Sequence, residues 1–169
     1  MNYPRLASSL LVIACAMAAC TLGDSLEDIA ARDSERAGND AALDRVRAAV
    51  RAMANPDRNL DYVAAEMEGV VKARTKSQAL MYYEGYRVTF VTPADQVTQV
   101  TFELIEAKPS VRQMTKAFGT PIEVVKGLLY EQSFASTGAR IQILAEPVAM
   151  PAKADDLVRR IIVRRARGR

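Results

Sequence analysis

Apolar residues between positions 40 and 72 recur at the spacing of amphipathic helices. They form two sets, of which the first predicts a helix over residues 40–54. After a break at Asn55-Pro56-Asp57, the second set predicts a helix that ends near Lys72. The two sets are Leu43, Val46, Val50 and Met53, then Leu60, Val63, Met67 and Val70.

Further along the chain the apolar period changes from helical spacing to two, which is typical of strands with one buried face. Val88 and Phe90 alternate with polar residues, as do Val100 and Phe102, and a turn at Pro93-Ala94-Asp95 separates them. These two segments therefore predict an antiparallel hairpin.

A short helix and more strands are predicted in the last third of the chain. Ser110 is a good N-cap for a helix that ends at Gly119. Strand patterns follow at about 123–134, 139–146 and 157–165.

The order of these elements repeats. Gly85-Tyr86-Arg87-Val88-Thr89-Phe90 and Gly138-Ala139-Arg140-Ile141-Gln142-Ile143 share a Gly-x-Arg followed by alternating apolar residues. The sequence therefore predicts an α+β fold, with a lead helix and two tandem helix–three-strand units over about 58–106 and 109–165. We expect an antiparallel sheet with the helices packed on one face, because one such unit has too small a core to be stable alone.

The N-terminus predicts export. Residues 1–19 have one Arg and an apolar run too short for a membrane span of about 20 residues, which favours a signal peptide over an uncleaved signal anchor. Met17-Ala18-Ala19-Cys20 resembles the bacterial lipobox, whose Cys is lipidated. Cys15 also fits the pattern, but Cys20 is favoured because choosing Cys15 would shorten the apolar run.

A lipidated Cys20 would anchor the chain through N-terminal acyl chains, palmitate among them, since stable anchoring needs at least two chains. Residues 20–40 are acidic and predict a solvated tether, followed by a single domain over 41–169. In Gram-negative lipoproteins the residue after the Cys directs sorting, and Thr21 in place of Asp implies the periplasmic leaflet of the outer membrane.

Composition excludes several kinds of chemistry. The chain has no His and no Trp, and its only Cys residues are Cys15 and Cys20. We therefore expect no catalytic residue, no metal site and no cofactor, because a His base, a His-ligated zinc and a Cys–His nucleophile are all excluded. A net charge of +3 does not indicate a nucleic-acid partner. Carboxylates such as Glu103 and Glu106 are expected on the solvated surface.

Two groups of residues are candidates for binding. The first is a tyrosine patch, for which core packing is the alternative interpretation. The second is a C-terminal arginine cluster that would contact an anion or a protein partner, for which protection of an edge strand is the alternative. The groups are Tyr82, Tyr83, Tyr86 and Tyr130, and Arg159, Arg160, Arg164, Arg165, Arg167 and Arg169.

Phe118-Gly119-Thr120-Pro121 at the end of a short helix, followed by a Tyr-bearing strand, resembles the SmpA/OmlA family of small outer-membrane lipoproteins. The tandem arrangement is also similar to β-lactamase inhibitory proteins. The first unit differs, having Gly69-Val70-Val71 where the family pattern has Gly-x-Pro. The resemblance implies a non-enzymatic protein-binding or scaffold module in cell-envelope assembly or maintenance. The alternative is an inhibitor or immunity-type protein that blocks a periplasmic hydrolase with a loop such as 147–156.

Overall fold

The computed structural model describes residues 26–166. The signal sequence, Cys20, Arg167 and Arg169 lie outside the described residues. The helices and strands are α1 (Leu26–Ala54), α2 (Leu60–Glu66), β1 (Ala73–Arg74), β2 (Gln78–Tyr83), β3 (Tyr86–Val91), β4 (Gln99–Leu104), α3 (Val111–Phe118), β5 (Ile122–Val124), β6 (Gly127–Phe134), β7 (Ala139–Pro147) and β8 (Val158–Arg165).

All eight strands form one antiparallel sheet in the order β1-β2-β3-β4-β8-β7-β6-β5. Each unit contributes one half, so the last strands of the two units, β4 and β8, pair at the centre. The α+β fold with a lead helix is thus confirmed, together with the hairpin of β3 and β4 around a 3-10 turn at Pro93–Asp95.

The two units repeat in backbone detail. Asn59 is the N-cap of α2 and forms an isolated bridge with Gln96, just before β4. Ser110 is the N-cap of α3 and forms the corresponding bridge with Leu157, just before β8. In each unit the start of the helix is therefore fixed to the start of the last strand.

The shared Gly-x-Arg motif marks equivalent turns. Gly85 and Gly138 each immediately precede the third strand of their unit and have φ values of 78° and 63°. A left-handed backbone of this kind favours glycine, which explains why both repeats retain it. The flanking turns differ in length, since Tyr83 pairs with Tyr86 whereas Phe134 pairs with Ala139.

Each unit has four strands rather than the predicted three. The extra strands β1 and β5 have only two and three residues, too short to show a period. The predicted strand over 123–134 is in fact β5 and β6, separated by a tight turn at Val125-Lys126.

Helix α1 begins at Leu26, so residues 26–40 of the predicted tether are helical. Residues 30–37 are exposed, and the compact unit that contains the sheet begins at Ser34. This segment has no apolar stripe but is rich in Ala, Arg and Glu, which have high intrinsic helix propensity. The spacing of apolar residues therefore located only the part of α1 that packs on the core.

One core joins the three helices to one face of the sheet. Its largest fully buried side chains include Met53 of α1, Met67 after α2 and Met114 of α3, packed with Phe90 and Phe102 of the sheet. The helices therefore lie on a single face, as predicted. We call the opposite face of the sheet the open face.

Candidate functional site

Six half-buried side chains form a row across the open face, one on each of β2, β3, β4, β8, β7 and β6. Neighbours in the row occupy directly paired positions. We call it the central row. Four of its six members are aliphatic, and no helix of the described chain packs on this face. Three aliphatic members, Ile162, Leu144 and Leu129, are consecutive in the row, and contiguous apolar groups at a surface are typical of binding sites. The members are Leu80, Thr89, Thr101, Ile162, Leu144 and Leu129.

A second row, the charged row, runs beside the central row. Arg87, Glu103, Arg160 and Glu146 occupy paired positions on four adjacent strands, so the charge alternates across the sheet. Arg87 forms an ion pair with Glu103, and Nη1 of Arg160 lies 3.1 Å from Oε2 of Glu146. The arginine side chains remain 49% and 45% exposed, so both can still reach a partner.

A third row, the amide row, lies on the other side of the central row. Nε of Arg164 donates to Oε1 of Gln142 at 3.1 Å, and Nε2 of Gln142 donates to Oε1 of Glu131 at 2.9 Å. Gln99 donates to the hydroxyl of Thr101 at 3.1 Å. These bonds fix side chains that would otherwise rotate freely at the surface.

The three rows together resemble the layout of a protein interface, with an apolar centre and a polar margin. Their cross-strand contacts reduce the side-chain entropy that binding would otherwise cost. The open face is therefore a preorganised surface suited to contact with another protein. Sequence reasoning did not locate it, because alternation shows that Thr101 and Ile162 face away from the core but not that they are neighbours.

The four candidate tyrosines do not form one patch. Tyr83 and Tyr86 stack with ring centroids 4.9 Å apart, and Tyr130 is fully buried with its ring 6.2 Å from that of Phe118. Only Tyr82 is well exposed, on the open face beside Arg87. Three of the four therefore serve in core packing, the alternative interpretation of the sequence.

The stacked pair is also part of a polar cluster. The hydroxyl of Tyr83 donates to the carbonyl oxygen of Met67 at 2.8 Å, and the guanidinium of Arg45 lies 5.7 Å from the Tyr83 ring centroid. Arg45 is paired with Glu68 at 2.7 Å. Burial raises the pKa of Tyr83 to about 12, although the charge of Arg45 acts in the opposite direction. The cluster fixes α1 and the end of α2 to β2.

The C-terminal arginines separate along β8. Arg160 and Arg164 are on the open face, in the charged and amide rows. Arg159 lines a cavity of about 380 Å³ beside the loop at Val148, and Arg165 lies at the other end of the strand. The four described arginines therefore form two pairs rather than a single cluster, with Arg159 and Arg160 beside one cavity and Arg164 and Arg165 beside another.

Within residues 26–166, no group of three or more acidic or cysteine side chains could hold a metal ion. Among the three helices of that range, none has the length and hydropathy of a membrane span.

The chain has no detectable match among protein-family models, curated proteins or solved structures. The resemblance to SmpA/OmlA lipoproteins consequently remains a prediction from the sequence.

Proposed function

We propose that the protein is a lipid-anchored periplasmic lipoprotein that binds a protein partner through the open face of its sheet. The observation that carries this proposal is the central row, a line of six half-buried side chains, four of them aliphatic, between two polar rows with fixed side chains. Burial of such a line against a partner is favourable by about 25 cal/mol for each Å² of apolar surface. The proposed role is a scaffold in cell-envelope assembly or maintenance.

The location rests on the lipobox that ends at Cys20. Two or more acyl chains on this residue would hold the domain at the membrane almost permanently. A Cys20→Ala variant should remain unprocessed and unlipidated, and globomycin should block cleavage of the wild type. Unchanged processing and unchanged membrane fractionation in both experiments would contradict the anchor.

The partner can be tested by affinity capture from envelopes crosslinked in the living cell. If the protein is a scaffold, subunits of an envelope assembly machine should be recovered with it. A variant with Thr101→Arg and Leu144→Arg, both in the central row, should recover them poorly because two added charges would have to be buried. Equal recovery by this variant and the wild type would argue against the open face.

A second function is favoured by the loop after β7. Its residues Val148 and Met150 are 62% and 42% exposed, an apolar pair that an inhibitor would insert into the active site of a hydrolase. In α3, the backbone N–H of Arg112 donates to the carbonyl oxygen of Ala154 in this loop at 2.7 Å, and the Arg112 side chain forms an ion pair with Asp155 at 3.0 Å. These two contacts fix the loop to α3.

Capture would distinguish this second function from the first. An inhibitor should recover one soluble hydrolase, and that recovery should be lost in a Val148→Ser and Met150→Ser variant. The same variant should leave capture by a scaffold unchanged, because both residues lie outside the three rows.

A further inference from the structure

A cleft of about 880 Å³ lies at the end of the sheet where β4 begins and β8 ends. Three arginines line it: Arg58 from the segment before α2, and Arg164 and Arg165 from β8. None of its lining residues is acidic. Three positive charges without a counter-charge therefore line one cleft, although the chain as a whole carries only +3.

Two of these guanidinium groups are held through their Nε atoms. Nε of Arg164 donates to Gln142, and Nε of Arg58 donates to the carbonyl oxygen of Val97 at 3.0 Å. Nη1 of Arg58 makes a longer contact of 3.3 Å with the carbonyl of Pro56. Within the described residues neither arginine forms an ion pair, so terminal nitrogens on both remain for a ligand.

The third arginine adds to the positive potential. Arg165 also forms no ion pair with a described residue, and it is close enough to Arg58 for their charges to interact. Burial, followed by the charge of Arg165, lowers the pKa of Arg58. Repulsion between unneutralised groups is relieved when an anion binds between them.

We propose that this cleft is a binding site for a phosphate ester. Guanidinium groups bind phosphate oxygens with strong, charge-assisted hydrogen bonds. Arg58 and Arg165, whose charges interact, would contact the oxyanion together, and Arg164 adds a further positive charge to the lining. The cleft is much larger than one phosphate group, and Val91 and Pro93 provide apolar walls. The ligand should therefore carry an organic group, whether a soluble metabolite or a phospholipid headgroup supplies the phosphate.

The site can be tested by titrating the purified full-length chain with glycerol phosphate at low salt, with calorimetry as the readout. An Arg164→Gln and Arg165→Gln variant should bind at least about tenfold more weakly, because each charge-assisted bond lost contributes at least that factor. An Arg51→Gln and Arg159→Gln variant has the same change in net charge but leaves the cleft intact. It should bind like the wild type.

The source of the phosphate can be distinguished by repeating the titration with dihexanoyl phosphatidic acid. Tighter binding of this lipid than of glycerol phosphate, lost in the cleft variant, would indicate a headgroup site. Equal binding of both, lost in the same variant, would indicate a soluble ester.

The proposal is overturned if the cleft variant and the control variant bind both probes alike. If the double cleft variant fails to fold by circular dichroism, Arg165→Gln alone provides the same comparison against Arg159→Gln. Arg165 is suited to this because its side chain forms no hydrogen bond within residues 26–166.

Discussion

Thr101 of β4 lies directly opposite Ile162 of β8 at the middle of the sheet, and the two residues are 61 positions apart in the chain. The same offset relates Gln96 to Leu157, the residues that bridge to the helix N-caps of the two units. Thr101 and Ile162 are therefore equivalent positions of the two units. Two equivalent positions that pair directly with each other are related by a two-fold axis between them. The two units therefore meet about an approximate two-fold axis through this pair, at the centre of the open face.

Neighbouring isoleucines of β8 provide a matched test of the two faces. Ile161 is fully buried on the helix side, whereas Ile162 is half-buried on the open face. We expect Ile161→Ala to lower the free energy of unfolding by about 2–5 kcal/mol because it leaves a cavity. Ile162→Ala should lower it by less than about 1 kcal/mol. Urea unfolding measures both values, and similar losses would mean that the open face is covered within the chain.

The helix caps should contribute to stability in both units. The hydroxyl of Ser110 accepts from the backbone N–H of Gln113, and the side chain of Asn59 accepts from that of Tyr62. Replacement of either cap by Ala should cost about 1 kcal/mol in urea unfolding. Ser133→Ala, at an exposed position of β6, is the control and should change little. A cap variant as stable as this control would contradict the assigned geometry.

Tyr83 should make stability fall at alkaline pH. Its pKa is about 12 in the folded chain against 10.0 for the free side chain, so the unfolded state loses this proton first as the pH rises. The contribution is fully present below pH 10 and is lost as the pH approaches about 12. Tyr86, whose pKa is also raised by burial, adds to the fall. A Tyr83→Phe variant should show a shallower fall in unfolding free energy across this range, and an unchanged slope would contradict this account.

Charge order in the charged row can be changed without a change in net charge. An Arg87→Glu and Glu103→Arg variant keeps an ion pair but reverses the field that a partner meets. The exchange also places an arginine opposite Arg160. We expect stability to fall by no more than about 1 kcal/mol, because exposed charge pairs contribute only about 0–1 kcal/mol. Partner binding should be at least about tenfold weaker.

The control for this exchange is the exposed ion pair of Asp44 and Arg47 on α1, whose atoms are 2.6 Å apart. An Asp44→Arg and Arg47→Asp variant should bind the partner like the wild type. If both exchanges weaken binding equally, the charged row has no special part in recognition.

The elements that could be predicted from the sequence are those determined by residues close together in the chain. Alternation located β3 and β4, and the cap at Ser110 located α3. Strand β2 was expected as the third strand of the first unit but was not located, because Ala79-Leu80-Met81-Tyr82-Tyr83 is continuously apolar, although Leu80 and Tyr82 face away from the core.

The open face and the arginine cleft depend on contacts that no local pattern contains. Arg58 and Arg165 are 107 positions apart and come together only because β4 and β8 pair at the centre of the sheet. The predicted arginine cluster accordingly included Arg165 but not Arg58. Cross-strand register, rather than composition, decides which charges are neighbours.

Site-specific photo-crosslinking in living cells can locate the face of the sheet on which the partner binds. A photoreactive side chain would replace Thr101 or Leu144 of the central row, or, as controls, the exposed Asp61 of α2 or Lys116 of α3. We expect a discrete adduct with the same envelope protein from both central-row positions, and none from the two helix positions. Adducts from the helix positions alone, or equally from both faces, would contradict a partner bound on the open face.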